Sequence, residues 1–182
     1  MKKQNLFKLT FSAVFAALSI VILLIVPQFP IFPTAPWLLY DAADIPLILA
    51  CLILPIYYSE AILAVVCFIQ AFFMGGSGII GFLMHFIATS VLILTFFAVN
   101  KLLKSNKKYI LGIVLASVLM ALVMIPVSYI FYPLYGLPVK AVSDLLFPCI
   151  LPFNLLKAFL NSTIAVIVFY ILKPIVKTME IQ

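Results

Sequence analysis

Charge is what this 182-residue chain has least of. Only 9% of its side chains are charged, against roughly 25% in a soluble domain. It has 11 basic residues, all lysine and none arginine, with five acids and one histidine, His85. Each shortage closes off a class of function. A chain that is 67% hydrophobic cannot cover itself with polar surface in water, so lipid must solvate most of it. Without arginine there is no planar fork to hold phosphate in a bidentate clamp, which argues against phosphatase and lipid-transferase sites. One histidine among scattered carboxylates makes no metal site. Cys51, Cys67 and Cys149 lie in apolar runs without CxxC spacing, so they read as membrane packing rather than a disulfide framework or a zinc site. Gly76 and Gly81 have the glycine spacing of a phosphate-binding loop, but Phe82 stands where the lysine is needed. The net charge of +6 comes from few groups and speaks of membrane topology, not of a nucleic-acid partner.

What the chain has in quantity is long apolar runs. A helix needs about 20 apolar residues to cross the hydrocarbon core. The runs predict six spans: Phe7 to Val26, Ile45 to Tyr58 with Pro55 inside it, Glu60 to Met74, Ile79 to Val99, Ile110 to Tyr132 and Phe147 to Leu172. The first run is too long for a cleaved leader and reads as a retained helix. The second and third are short, and must tilt, thin the bilayer or sit partly in protein. The expectation is an all-α polytopic membrane protein, a six-transmembrane-helix bundle filling 1–182 as a single domain. Lys2, Lys3, Lys8, Lys101, Lys104, Lys107, Lys108, Lys173 and Lys177 all fall on one side if both termini are cytoplasmic, as the positive-inside rule requires. Only Lys140 falls in an outer loop, and only Lys157 lies within a span.

The first outer loop, Pro27 to Pro46, has five prolines in 20 residues, which forbids a regular helix. It also carries Phe29, Ile31, Phe32, Trp37, Leu38, Leu39 and Tyr40, too apolar to stay in water. It is expected to pack over the mouth of the bundle as a lid or rim.

Polar groups within the membrane are costly and suggest function. Lys157 is the sharpest; it needs a carboxylate, carbonyls or a ligand, or must snorkel to the interface. Asn154 and Asn161 share its helix face. Pro152 loosens the backbone there, and Asn154 is placed to satisfy a freed carbonyl. Asp44 precedes Ile45 and Pro46, as a helix N-cap does. Asp41 has no such role and is free to orient a ligand or pair with Lys157. Gln70 and His85 are single polar groups that face either a neighbouring helix or a ligand. Tyr129, Tyr132 and Tyr135 sit where an interfacial aromatic belt is expected, with ring stacking on a ligand as the alternative. A Ser77–His85 hydrolase pair is disfavoured, because only eight residues and a glycine-rich turn separate the two. On the first helix, Ser12 with Ala16 and Ala13 with Ala17 form small-residue strips of the kind that let helices approach closely.

These segments together resemble the substrate-binding S component of energy-coupling factor (ECF) vitamin transporters, above all its riboflavin-binding branch. The resemblance spans nearly the whole chain. It rests on the proline-rich first loop running into Tyr40-Asp41-Ala42-Ala43-Asp44-Ile45-Pro46, on Tyr132-Pro133-Leu134-Tyr135-Gly136, and on Pro152-Phe153-Asn154-Leu155-Leu156-Lys157. It implies a bacterial plasma-membrane subunit that is not an enzyme and captures a vitamin for ATP-driven uptake. It implies no cofactor, since ATP is bound by partner subunits: one T component and two ATPases of an ECF module. It implies flavin-ring contacts at Asn154 and Lys157 and docking through the Ala13–Ala17 strip. With Tyr40, Asp41, Gln70, His85 and Ser128, those two make up the expected substrate contacts, and Ser12–Ala16 joins the expected docking surface.

Two features depart from the riboflavin branch. Where that branch has a Gly-Pro-x-x-Gly step followed by Lys-Asn, this chain has Leu54-Pro55-Ile56-Tyr57-Tyr58 and then Gln70. Ser128 stands where relatives carry Asn. Hydroxymethylpyrimidine, pyridoxine and pantothenate are therefore rival ligands, and a structural membrane protein without a ligand is the rival class.

Overall fold

The computed structural model describes residues 3–74, 78–105 and 107–178. Ser77, and with it the disfavoured Ser77–His85 pair, lies outside the described residues, as does Lys2. The elements are α1 (Lys3–Ile25), β1 (Phe29–Pro30), β2 (Leu39–Tyr40), α2 (Asp44–Ile53), α3 (Ile56–Phe73), α4 (Gly78–Leu102), α5 (Lys108–Phe131), α6 (Val139–Leu145) and α7 (Leu151–Thr178). Tyr132–Tyr135 form a 3-10 turn after α5, and Leu146–Ile150 form a π turn that joins α6 to α7.

The expected second span stops early. Leu54 is extended (φ −107°, ψ 159°) and precedes Pro55, whose ring disfavours helix in the residue before it. Tyr57 and Tyr58 therefore start α3 instead of ending α2. At ten residues α2 is about 15 Å long, half the hydrocarbon thickness. Its isolation from lipid makes this tolerable. Leu47, Ile48 and Ala50 are fully buried, and α2 packs on α1, α3, α4 and α7. A helix that is apolar all round belongs in the core.

The other helical stretches, α1, α3, α4, α5 with its 3-10 turn, and α6–α7 taken together, are long and apolar enough to cross a membrane. Their outward faces carry exposed Leu18, Val21, Leu115, Leu119, Leu122, Phe159 and Ile167, as a lipid-facing surface should. The expected sixth span starts earlier than Phe147, because Pro148 is absorbed by the π turn rather than ending the helix. At the other end of that connection Gly136 adopts φ +84° and closes the 3-10 turn, a conformation open to glycine.

The proline-rich loop is not wholly irregular. Phe29 pairs with Tyr40 and Pro30 with Leu39 in a minimal antiparallel ladder. Ala35 and Leu38 are buried as a plug, and the Thr34 hydroxyl lies 3.1 Å from Cys149 Sγ. All three cysteines are free and buried.

Candidate functional site

The loop covers a cavity of about 620 Å³ at the end of the bundle where α1 meets α2 and α3 meets α4. Trp37 and Leu38 line it from the loop, Gln70 from α3, Met84 and His85 from α4, Met120 and Met124 from α5, Tyr132 from the 3-10 turn, and Phe153, Asn154 and Lys157 from α7. The lining combines adaptable thioethers and flat rings with a few convergent polar groups, as small-molecule sites do.

Lys157 organises the polar wall. Its Nζ donates to Asp41 Oδ2 at 2.9 Å and lies 3.2 Å from Asp44 Oδ2. His85 Nε2 is 3.0 Å from Asp44 Oδ1. Lys157, Asp41 and Asp44 are all buried, so Lys157 does not snorkel. A buried ammonium must be paired and hydrogen-bonded, and two carboxylates, one from the end of the loop and one from the start of α2, supply this.

The capping expectation for Asp44 is overturned. No side chain caps α2, because the Asp44 carboxylate is committed to Lys157 and His85. The local turn is made by Asp41, whose Oδ1 accepts from the Ala43 N–H at 3.2 Å, in the manner of an Asx turn.

Asn161 ties the loop to α7. Its Nδ2 donates to the Asp41 carbonyl at 3.0 Å, and its Oδ1 accepts from the Tyr40 hydroxyl at 2.8 Å. Burial, with a smaller push from Asp41, raises the Tyr40 phenol above its ordinary value, so it remains a donor. Asn154 donates to the Ile150 carbonyl at 2.8 Å, at the π turn. Asn161→Leu is expected to remove both ties and cost about 1–3 kcal/mol, the penalty of unpaired buried polar groups. Limited proteolysis within residues 27–40 should accelerate in that variant; an unchanged cleavage rate would count against the tie.

Five of the seven expected substrate contacts line the cavity: Asp41, Gln70, His85, Asn154 and Lys157. Tyr40 and Ser128 are not on its wall. Tyr40 stands behind it, bound to Asn161. Ser128 is fully buried in α5, with its carbonyl accepting the Tyr132 N–H. The aromatic-belt expectation fails for Tyr132, which is buried, lines the cavity and meets Trp37 edge-on with ring centroids 6.4 Å apart. Tyr135 lines the cavity too, whereas Tyr129 is exposed and within 3.0 Å of Ser143.

Sequence reasoning also left out Met74, Met84, Met120, Met124 and Phe153 as cavity walls. In a chain this apolar, nothing in their spacing separates a wall from the core. On α1 the two small-residue strips part. Ser12 is buried and Ala16 half-buried, while Ala13 and Ala17 face outward.

Comparison with known proteins agrees with this architecture. The family model of the ECF transporter substrate-specific component matches residues 7–169. The riboflavin transporter RibU of Streptococcus thermophilus is 29% identical over 181 residues, spanning 94% of this chain and 85% of that protein. A solved S component of a bacterial ECF transporter is similar with a TM-score of 0.82 at 27% identity, over 95% of this chain and 99% of that one. Matched along nearly its whole length by family model and solved fold alike, the chain belongs to the substrate-specific components of ECF transporters: it is a substrate-binding membrane subunit, not an enzyme.

Proposed function

We propose that the cavity binds riboflavin for uptake. The observation that carries this reading is the cavity itself: about 620 Å³, walled by rings and thioethers, with Asn154 and Lys157 at one side. Riboflavin is a flat fused-ring system with hydrogen-bonding groups along one edge and a polyol tail. The flat part suits the space between Trp37, Tyr132, Met84, Met120 and Met124, where ring faces and sulfur pack well. The polar edge suits Asn154, Gln70 and Lys157. Gln70 Oε1 is buried and has no hydrogen-bond partner among the described residues, so it is an acceptor available to a ligand. The 29% identity to a riboflavin transporter points the same way.

In this reading the chain forms one domain, crosses the membrane six times with both termini cytoplasmic, and opens its cavity to the outside. The lysine distribution supports the orientation, with α2 as a half-length span shielded by its neighbours. The outward Ala13–Ala17 strip docks on a T component, and two ATPases of the same module bind the ATP.

The test is a fluorescence-quenching titration of purified protein with riboflavin beside hydroxymethylpyrimidine, pyridoxine and pantothenate. Riboflavin should bind at one per chain, far more tightly than the others. Tighter binding of another member of the panel would replace riboflavin, and no binding at all would favour a structural role.

A further inference from the structure

Asp44 is nearly fully buried and does not reach the cavity, yet it holds both cationic candidates of the wall, Lys157 and His85. Two carboxylates face one ammonium and one imidazole. The cluster sums to −1 with His85 neutral and to zero with His85 protonated; it is positive in neither state. Lys157 is the only lysine among the described residues that line the cavity. Lys140, near the same end of the bundle, is exposed and not part of the wall.

We infer that this cluster makes the site selective for an uncharged ligand, and that Asp44 is a specificity-determining residue beside Asp41: Asp41 alone balances Lys157, and Asp44 takes the cluster to −1, or holds it at zero when His85 is protonated. The inference rests on the flavin reading and deepens it. Lys157 and Asn154 can still donate to neutral carbonyl oxygens. An anionic group entering a site of low dielectric meets no net positive charge and is repelled by Asp41, which lines the wall. A phosphorylated flavin should therefore be discriminated against, although its ring system is the same.

The experiment compares riboflavin with its 5′-phosphate ester by titration of the full chain, the parent beside Asp44→Asn, Asp41→Asn and Asp44→Glu. The parent is expected to favour riboflavin by about 100-fold. Asp44→Asn should narrow that ratio to about tenfold or less, by strengthening binding of the phosphate ester relative to riboflavin. Asp41→Asn, which frees Lys157 from its other carboxylate, should narrow it independently. Asp44→Glu, which keeps the charge, should restore the discrimination. A merely structural Asp44 would weaken both ligands by the same factor, and that result overturns the inference. Equal binding of the two flavins by the parent also overturns it while leaving the riboflavin reading intact. Failure of the parent to bind either flavin overturns the reading and the inference together.

Discussion

Lys157→Met is expected to lose riboflavin binding by about 100-fold or more and, separately, to cost about 3–5 kcal/mol of stability. The two losses have different causes. The first removes the donor on the cavity wall. The second comes from what remains: Asp41 and Asp44 stay buried without their common cation, and breaking a buried pair by removing one partner is far more costly than replacing the whole pair. The sequence alone leaves Lys157 a carboxylate, carbonyls, a ligand or the interface as its partner; the fold gives it two carboxylates. Thermal unfolding in detergent reads the stability term, and fluorescence titration reads the binding term. Adding Asp41→Asn and Asp44→Asn to Lys157→Met should restore most of the stability and none of the binding. If the single variant melts like the parent, the ion pairs are not what holds this end of the bundle. If its affinity is unchanged, Lys157 does not belong to the site.

Ala13→Trp is expected to abolish copurification with the T component and ATPases while riboflavin affinity stays within about twofold of the parent, the level of a distant surface change. Ala13 and Ala17 face outward on α1, one turn apart. In lipid there is little hydrophobic drive between helices, so association depends on close backbone approach over small residues. An indole there holds a partner helix several ångströms away. The inward Ser12 and Ala16 provide the contrast, because a bulky group at Ala16 should disturb the bundle itself. An intact complex with Ala13→Trp would remove this strip from docking. Loss of riboflavin binding along with the complex would mean that the strip supports the fold instead.

Much of the site is legible in the amino-acid sequence. Lys157 stands out because an ammonium inside an apolar run has to be explained. Asp41 stands out because no cap needs it. Asn161 is visible as a neighbour on the same helix face, although only the fold gives it a task, bridging Tyr40 and the Asp41 backbone. Asp44 is misread because local sequence supports a cap very well, and a local reading does not know that Lys157, more than a hundred residues away, will compete for the carboxylate. Ser128 is misplaced because a helix presents several faces and the sequence of α5 is apolar on all of them, so nothing marks which face meets the cavity.

The sequence by itself determined the solvent and the helical class, because these depend on composition and on run length, which are additive along the chain. It also limited the functional charges to a few. The tertiary structure decided where α2 ends, which tyrosine lines the cavity, and that Asp44 serves Lys157 and His85. Those outcomes depend on pairs of residues far apart in the chain, and on which side of each uniformly apolar helix faces protein rather than lipid. The scarcity of charge first excluded other functions. In the fold, Lys157, Asp41, Asp44 and His85 meet at one cluster beside the cavity.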